Sequence, residues 1–129
     1  MATIKSYTDL EQSKKLAEIL PHESADMHYN NASIKGINYV DEYRAELMDY
    51  NTAQKVVSKY LINPIFGIIP CWSLSALLGV LQDYTLQTNT DGTVFVVCES
   101  KKPMISDAYD NPVDACVAMI EKLNELNLL

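Results

Sequence analysis

The sequence predicts an α+β fold, a small antiparallel sheet built around a hairpin at about 84–98 and packed by three to four helices. Three observations carry this. Tyr84, Leu86 and Thr88 alternate with Thr85, Gln87 and Asn89 ahead of an Asp91-Gly92 turn, the short-range signature of a hairpin. The return run Thr93–Cys98 is apolar on both faces, which suits a central strand covered on both sides. Apolar residues then recur at steps of three and four near 8–20, 73–81 and 112–126, the period of a helix with one buried face.

The elements follow in order. Thr8-Asp9-Leu10-Glu11 reads as a capping box that opens the first helix. Leu10, Leu16, Ala17 and Leu20 share its inner face, and Pro21 ends it because the residue before proline is pushed out of the helical region. Pro21–Gly36 is polar and rich in turn formers, so it reads as irregular, and Ile34–Val40 as a short strand. From Asp41 to Ile62 the spacing of Val40, Tyr43, Leu47, Tyr50, Val57 and Leu61 is helical, as one helix or as two meeting at Asn51-Thr52. The tyrosines on that stripe keep a strand reading open. Asn63–Pro70, with two prolines, is a connector or edge strand. Trp72–Leu81 is a compact helix with Ser73 as its cap and Leu74, Leu77, Leu78 and Leu81 as its buried stripe. The last helix opens at Asn111 with Pro112 in its first turn. Val113, Cys116, Val117, Ile120 and Leu123 point inward, and Leu126 continues the stripe.

Composition narrows the function classes. At 129 residues the chain is expected to be one domain, 1–129, and 48% hydrophobic residues suffice for a core. A net charge of −7 argues against duplex nucleic acid, which is held by clustered Lys and Arg. No apolar run reaches membrane-spanning length, and charges through the first twenty residues argue against a signal peptide. Cys71, Cys98 and Cys116 are far apart and odd in number, which fits reduced thiols in a cytoplasmic setting. Phosphate loops, dinucleotide fingerprints and nucleophile elbows are absent, so the reading is a protein that is not an enzyme and takes no cofactor.

Three segments carry a resemblance: Leu20–Met27 (LPHESADM), Pro70–Leu78 (PCWSLSALL), and the tail Asp114-Ala115-Cys116 through Leu123-Asn124-Glu125-Leu126. Together they resemble a family of small uncharacterised proteins of Bacteroidales prophages and mobile elements. The resemblance spans most of the chain outside residues 30–69 and implies a cytoplasmic, mobile-element setting. It brings no catalytic residues.

The expected function is therefore a non-enzymatic protein-interaction module whose partners include a second copy of itself. The expected contact lies in Leu61–Leu81, an uncharged and strongly apolar stretch, with Ile65, Phe66 and Trp72 at the contact. Tyr43, Tyr50 and Tyr60 would form its polar rim, since tyrosine buries area at low entropy cost. The alternative is a small-molecule, nucleotide or metal-binding protein, possibly a hydrolase, with its site near His22, Asp26 and His28. Two imidazoles and a carboxylate suit a divalent ion, though this spacing matches no recognised motif. Cys71 is a second candidate, because a thiol at a helix start can become a nucleophile.

Overall fold

A computed structural model of the chain describes residues 5–32, 39–49, 51–52, 69–98 and 104–129. These residues form an α+β structure with two antiparallel sheets, and the chain divides into two compact units. One unit is residues 9–72; the other joins residues 1–8 to 73–129.

In the unit 9–72, helix α1 (Leu10–Ile19) starts at Asp9. The Gln12 N–H donates to Asp9 Oδ1 at 2.8 Å, and Gln12 Oε1 accepts from the Asp9 N–H at 3.1 Å. The capping box thus sits one residue later than Thr8 and Glu11 suggest. Asp9 is the helix cap in place of Thr8, which is fully buried. Leu20 adopts an extended conformation ahead of Pro21, as the proline demands. A single 3-10 turn, His22–Ser24, follows.

The polar stretch after Pro21 is not irregular throughout. It contains strand β1 (Met27–Ala32), which pairs with β2 (Tyr39–Glu46) on one side and β3 (Ile69–Cys71) on the other. Asn30 and Asn31 are poor strand residues, and they sit where the β1–β2 register shifts. The strand forms because Met27 and Tyr29 alternate onto a buried face, opposite Cys71 and Ile69, and pack with Leu10. The helical reading of residues 41–62 is likewise corrected at its start: residues 39–46 are a strand. The three-residue step from Val40 to Tyr43 is helical, but tyrosine favours strands, and pairing with β1 decides it. A helical turn begins only at Asn51-Thr52, behind Asp49. The expected edge strand is β3, and Pro70, with no N–H to give an outer neighbour, suits that edge. Most of Asn63–Pro70 lies outside the described residues.

In the other unit, helix α2 (Leu74–Val80) is capped by Ser73, whose Oγ accepts from the Ala76 N–H at 3.2 Å. Leu77 and Leu81 are buried, while Leu74 and Leu78 are half-buried. The N-terminal arm lies beside this helix start. The Leu74 N–H donates to Ser6 O at 3.0 Å, and Lys5 pairs with Asp114 at 2.8 Å. Strands β4 (Tyr84–Thr88), β5 (Val94–Cys98) and β6 (Met104–Ile105) form the second sheet with β5 in the centre. The β4–β5 loop closes through Asn89 N–H to Thr93 O, and Gly92 sits at φ +90°, the region that favours glycine.

Helix α3 (Pro112–Glu125) packs on β5 and α2. Val113, Cys116, Val117, Ile120 and Leu123 are buried as expected, and Ala115 and Met119 join them. Leu126 is exposed and does not continue the stripe, because the helix ends there. Asn127 turns to φ 56°, its N–H bonds Asn124 O, and the Leu128 N–H bonds Leu123 O at 2.8 Å, a Schellman closure. The α+β expectation, with a hairpin sheet and helices, holds, and the described residues form a second small sheet as well. Helix α1 packs on β3 within 9–72, and α3 on the hairpin sheet.

Two substitutions test this core. Ile120→Ala is expected to cost about 2–5 kcal/mol in urea unfolding, because it opens a cavity between α3 and its neighbours. Gly92→Ala meets no neighbouring atom, so its expected cost of about 1–2 kcal/mol is conformational alone. A change smaller than half of either figure would contradict the packing or the turn described.

Candidate functional site

His22, Asp26 and His28 fall on three different pieces of chain. His22 is on the 3-10 turn, Asp26 precedes β1, and His28 is inside β1. His22 Nε2 lies 3.3 Å from Ala17 O, which ties the ring to the last part of α1. Asp26 is exposed and His28 is buried. His28 Nδ1 lies 2.6 Å from Met48 O. A carbonyl only accepts, so that nitrogen carries the proton in this contact. Among the described residues, no three His, Cys, Asp or Glu side chains converge as a metal site would need. His28 instead pins the residues that leave β2 to the middle of the first sheet.

Trp72 is fully buried, not at a surface contact of the single chain. Its Nε1–H donates to Ser24 Oγ at 2.9 Å, and the Ser24 hydroxyl donates onward to Pro21 O at 2.6 Å. A buried indole needs such an acceptor, and the 3-10 turn supplies it. Tyr43 falls within β2, whereas Ile65, Phe66, Tyr50 and Tyr60 lie outside the described residues. Tyr29 is core, packed with Met27 and Cys71.

The expected helix-start position of Cys71 is corrected too. Cys71 is in β3, opposite Met27, and α2 begins at Leu74. All three cysteines are buried thiols. Burial pushes the Cys116 thiol up to about 11, away from the reactive thiolate.

The feature that sequence reasoning missed is the bend after β2. Leu47 is 87% exposed and Met48 lies beside it, also exposed. The helical reading placed Leu47 on a buried stripe. As a strand, the chain instead runs out of the sheet at Glu46 and presents Leu47 to solvent. The bend is held at both ends. His28 grips Met48 O, and Asp49 accepts from the Thr52 N–H at 3.0 Å and hydroxyl at 2.6 Å. The Thr52 hydroxyl is the chief reason that the Asp49 carboxyl titrates below its ordinary value. No residue within the β1–β2 pairing pattern signals this exposure, because only the strand assignment reveals it.

The thiol burial predicts that a disulfide exchange reagent at mild alkaline pH labels none of the cysteines in the folded chain and all three after denaturation. Rapid labelling of Cys116 without denaturant would contradict its place in α3. The lowered pKa of Asp49 fixes the sign of an acid effect on the bend. The folded carboxyl binds its proton less readily than the unfolded one, so its support is complete above the unfolded value. That support is lost as pH falls through the lower folded value. Amide exchange of Thr52 should therefore lose protection in strong acid and not between neutrality and the ordinary Asp range. Protection unchanged on going to strong acid would remove Asp49 from that role.

No family model matches the chain, and no curated protein or solved structure matches it significantly.

Proposed function

We propose that the chain is a non-enzymatic protein-interaction module of a prophage or mobile element, acting inside the cell, with a second copy of itself among its partners. The mobile-element setting rests on the resemblance of Leu20–Met27, Pro70–Leu78 and the Asp114–Leu126 tail. The observation that carries the interaction reading is the Leu47–Met48 bend. Leu47, at 87% exposure, stands on a bend braced by the His28 and Asp49 hydrogen bonds. The backbone braced at this bend loses little freedom when a partner covers it, which preorganises the contact. Its neighbour Met48 adapts readily to a partner's shape. The acidic balance of −7 keeps such a surface soluble and turns it away from nucleic acid.

The test is a photo-crosslinking amino acid at position 47 of the full chain in its native host. A discrete adduct, identified by mass spectrometry and lost when Met48→Asp accompanies the probe, is the expected result. A probe that captures no protein overturns the contact. Elemental analysis that finds a stoichiometric divalent metal, lost in His22→Ala and Asp26→Ala, replaces this reading by a metal-binding one.

A further inference from the structure

The hairpin sheet ends on one side at β4, and the hydrogen-bond pattern shows which of its backbone groups face outward. The Asn89 N–H bonds Thr93 O at 2.8 Å, so these two residues form a hydrogen-bonded pair. In an antiparallel ladder such pairs alternate with non-bonded ones. Gln87 and Thr85 are then the β4 residues bonded to Phe95 and Val97. Tyr84, Leu86 and Thr88 stand opposite Cys98, Val96 and Val94, in the non-bonded positions. The far side of β5 agrees. Val94 gives its N–H to Tyr109 O at 2.7 Å and Val96 gives its N–H to Ser106 Oγ at 2.8 Å, both away from β4. Tyr84, Leu86 and Thr88 therefore turn their backbone groups to the outer edge. The Tyr84 N–H is taken by Leu81 O at 3.0 Å. Among the described residues nothing takes the Tyr84 carbonyl or the backbone groups of Leu86 and Thr88, and β4 pairs with β5 alone.

Natural edge strands are usually guarded by a charge, a proline or a bulge. Tyr84–Thr88 has none of these, and its register with β5 is unbroken. The outward residues are also symmetric about Leu86. We propose that β4 pairs antiparallel with β4 of a second copy, on a twofold axis through Leu86. This rests on the reading of the chain as a module that takes itself as a partner, and it names the contact. About that axis, Leu86 exchanges both backbone bonds with the partner's Leu86. The Thr88 N–H meets the carbonyl of the partner's Tyr84, and the reciprocal bond completes the edge.

Charge favours this occupant. Two copies of a chain carrying −7 repel each other at long range, so a stable contact has to keep acidic side chains from facing one another. From Tyr84 to Thr90 the chain is uncharged. In the twofold register Asp83 stands opposite the partner's Asn89, and Asp91 lies beyond the paired segment. A twofold contact of this kind is closed, so it stops at a dimer rather than extending into a fibre.

The test is sedimentation equilibrium of the full chain through the micromolar range, with Leu86→Pro and Leu86→Lys beside it. Proline removes the outward N–H and leaves the bonds of Thr85 and Gln87 to β5 in place. Lysine sets like charges face to face on the axis. The wild type should be a dimer, and each variant should weaken dimerisation at least about tenfold while keeping the circular dichroism of the wild type diluted to monomer. Wild-type hydrogen exchange gives a check that needs no variant. The Leu86 and Thr88 amides should exchange more slowly as concentration rises, while Gln87 stays protected throughout. A wild-type dimer indifferent to both variants, or Leu86 and Thr88 exchange independent of concentration in that dimer, overturns the β4 contact and leaves self-association standing. A wild type that stays monomeric at high micromolar concentration overturns both, including the case of an edge kept for a strand of another protein.

Discussion

Strand β5 is the constraint on which the hairpin unit depends. Val94, Val96 and Cys98 are buried, so their backbone groups have no water and must bond within the protein. On one side β4, joined by a short, sequence-local turn, serves Phe95 and Val97. The other is served by a patchwork: Tyr109 at one end, the Ser106 backbone and hydroxyl in the middle, and β6 at the far end. Ser106 is itself buried, and its hydroxyl donates to Asp107 O while accepting from Val96. A polar residue in the core is thus explained by an irregular partner strand that cannot supply every carbonyl itself. Helix α3 can then lay its wide apolar face on β5 without stranding any donor beneath it.

The unit 9–72 uses side chains for the same purpose. Its described strands mix strand formers with poor ones, such as Asn30 and Asn31 in β1, and β3 contains a proline. Two buried polar side chains hold these pieces in register. The Trp72 indole bonds the Ser24 turn, and the His28 ring bonds the Met48 carbonyl. Each sets a buried polar group against an acceptor that a loop would otherwise leave to water, which adds specificity of position to the packing of Met27, Tyr29 and Cys71. The histidine that looked like a ligand is a clamp, and its grip is what displays Leu47 and Met48.

The surfaces follow from these cores. Leu47 is exposed because the backbone beside it is held, and the outer groups of β4 are exposed because its inner groups are spent on β5. Among the buried residues of reactive type, His28 is hydrogen-bonded to a backbone carbonyl and Cys116 is shifted away from thiolate chemistry by burial.

Local physics was legible wherever one element decides its own structure. The hairpin, the Ser73 and Asn111 caps, Pro112 in the first turn of α3 and the Val113–Leu123 stripe depend on contacts a few residues apart, so spacing and turn chemistry determined them. Strands β1 and β2 were not legible, because Asn30 and Asn31 resist a strand and the apolar spacing through Tyr39–Glu46 is helical. Their state was decided by pairing with each other and with Ile69–Cys71. The same holds for single residues. The sequence by itself determined that Trp72 and His28 were chemically notable. Only the tertiary structure decided that both point inward, since burial and hydrogen-bond partners are long-range properties that no local pattern encodes.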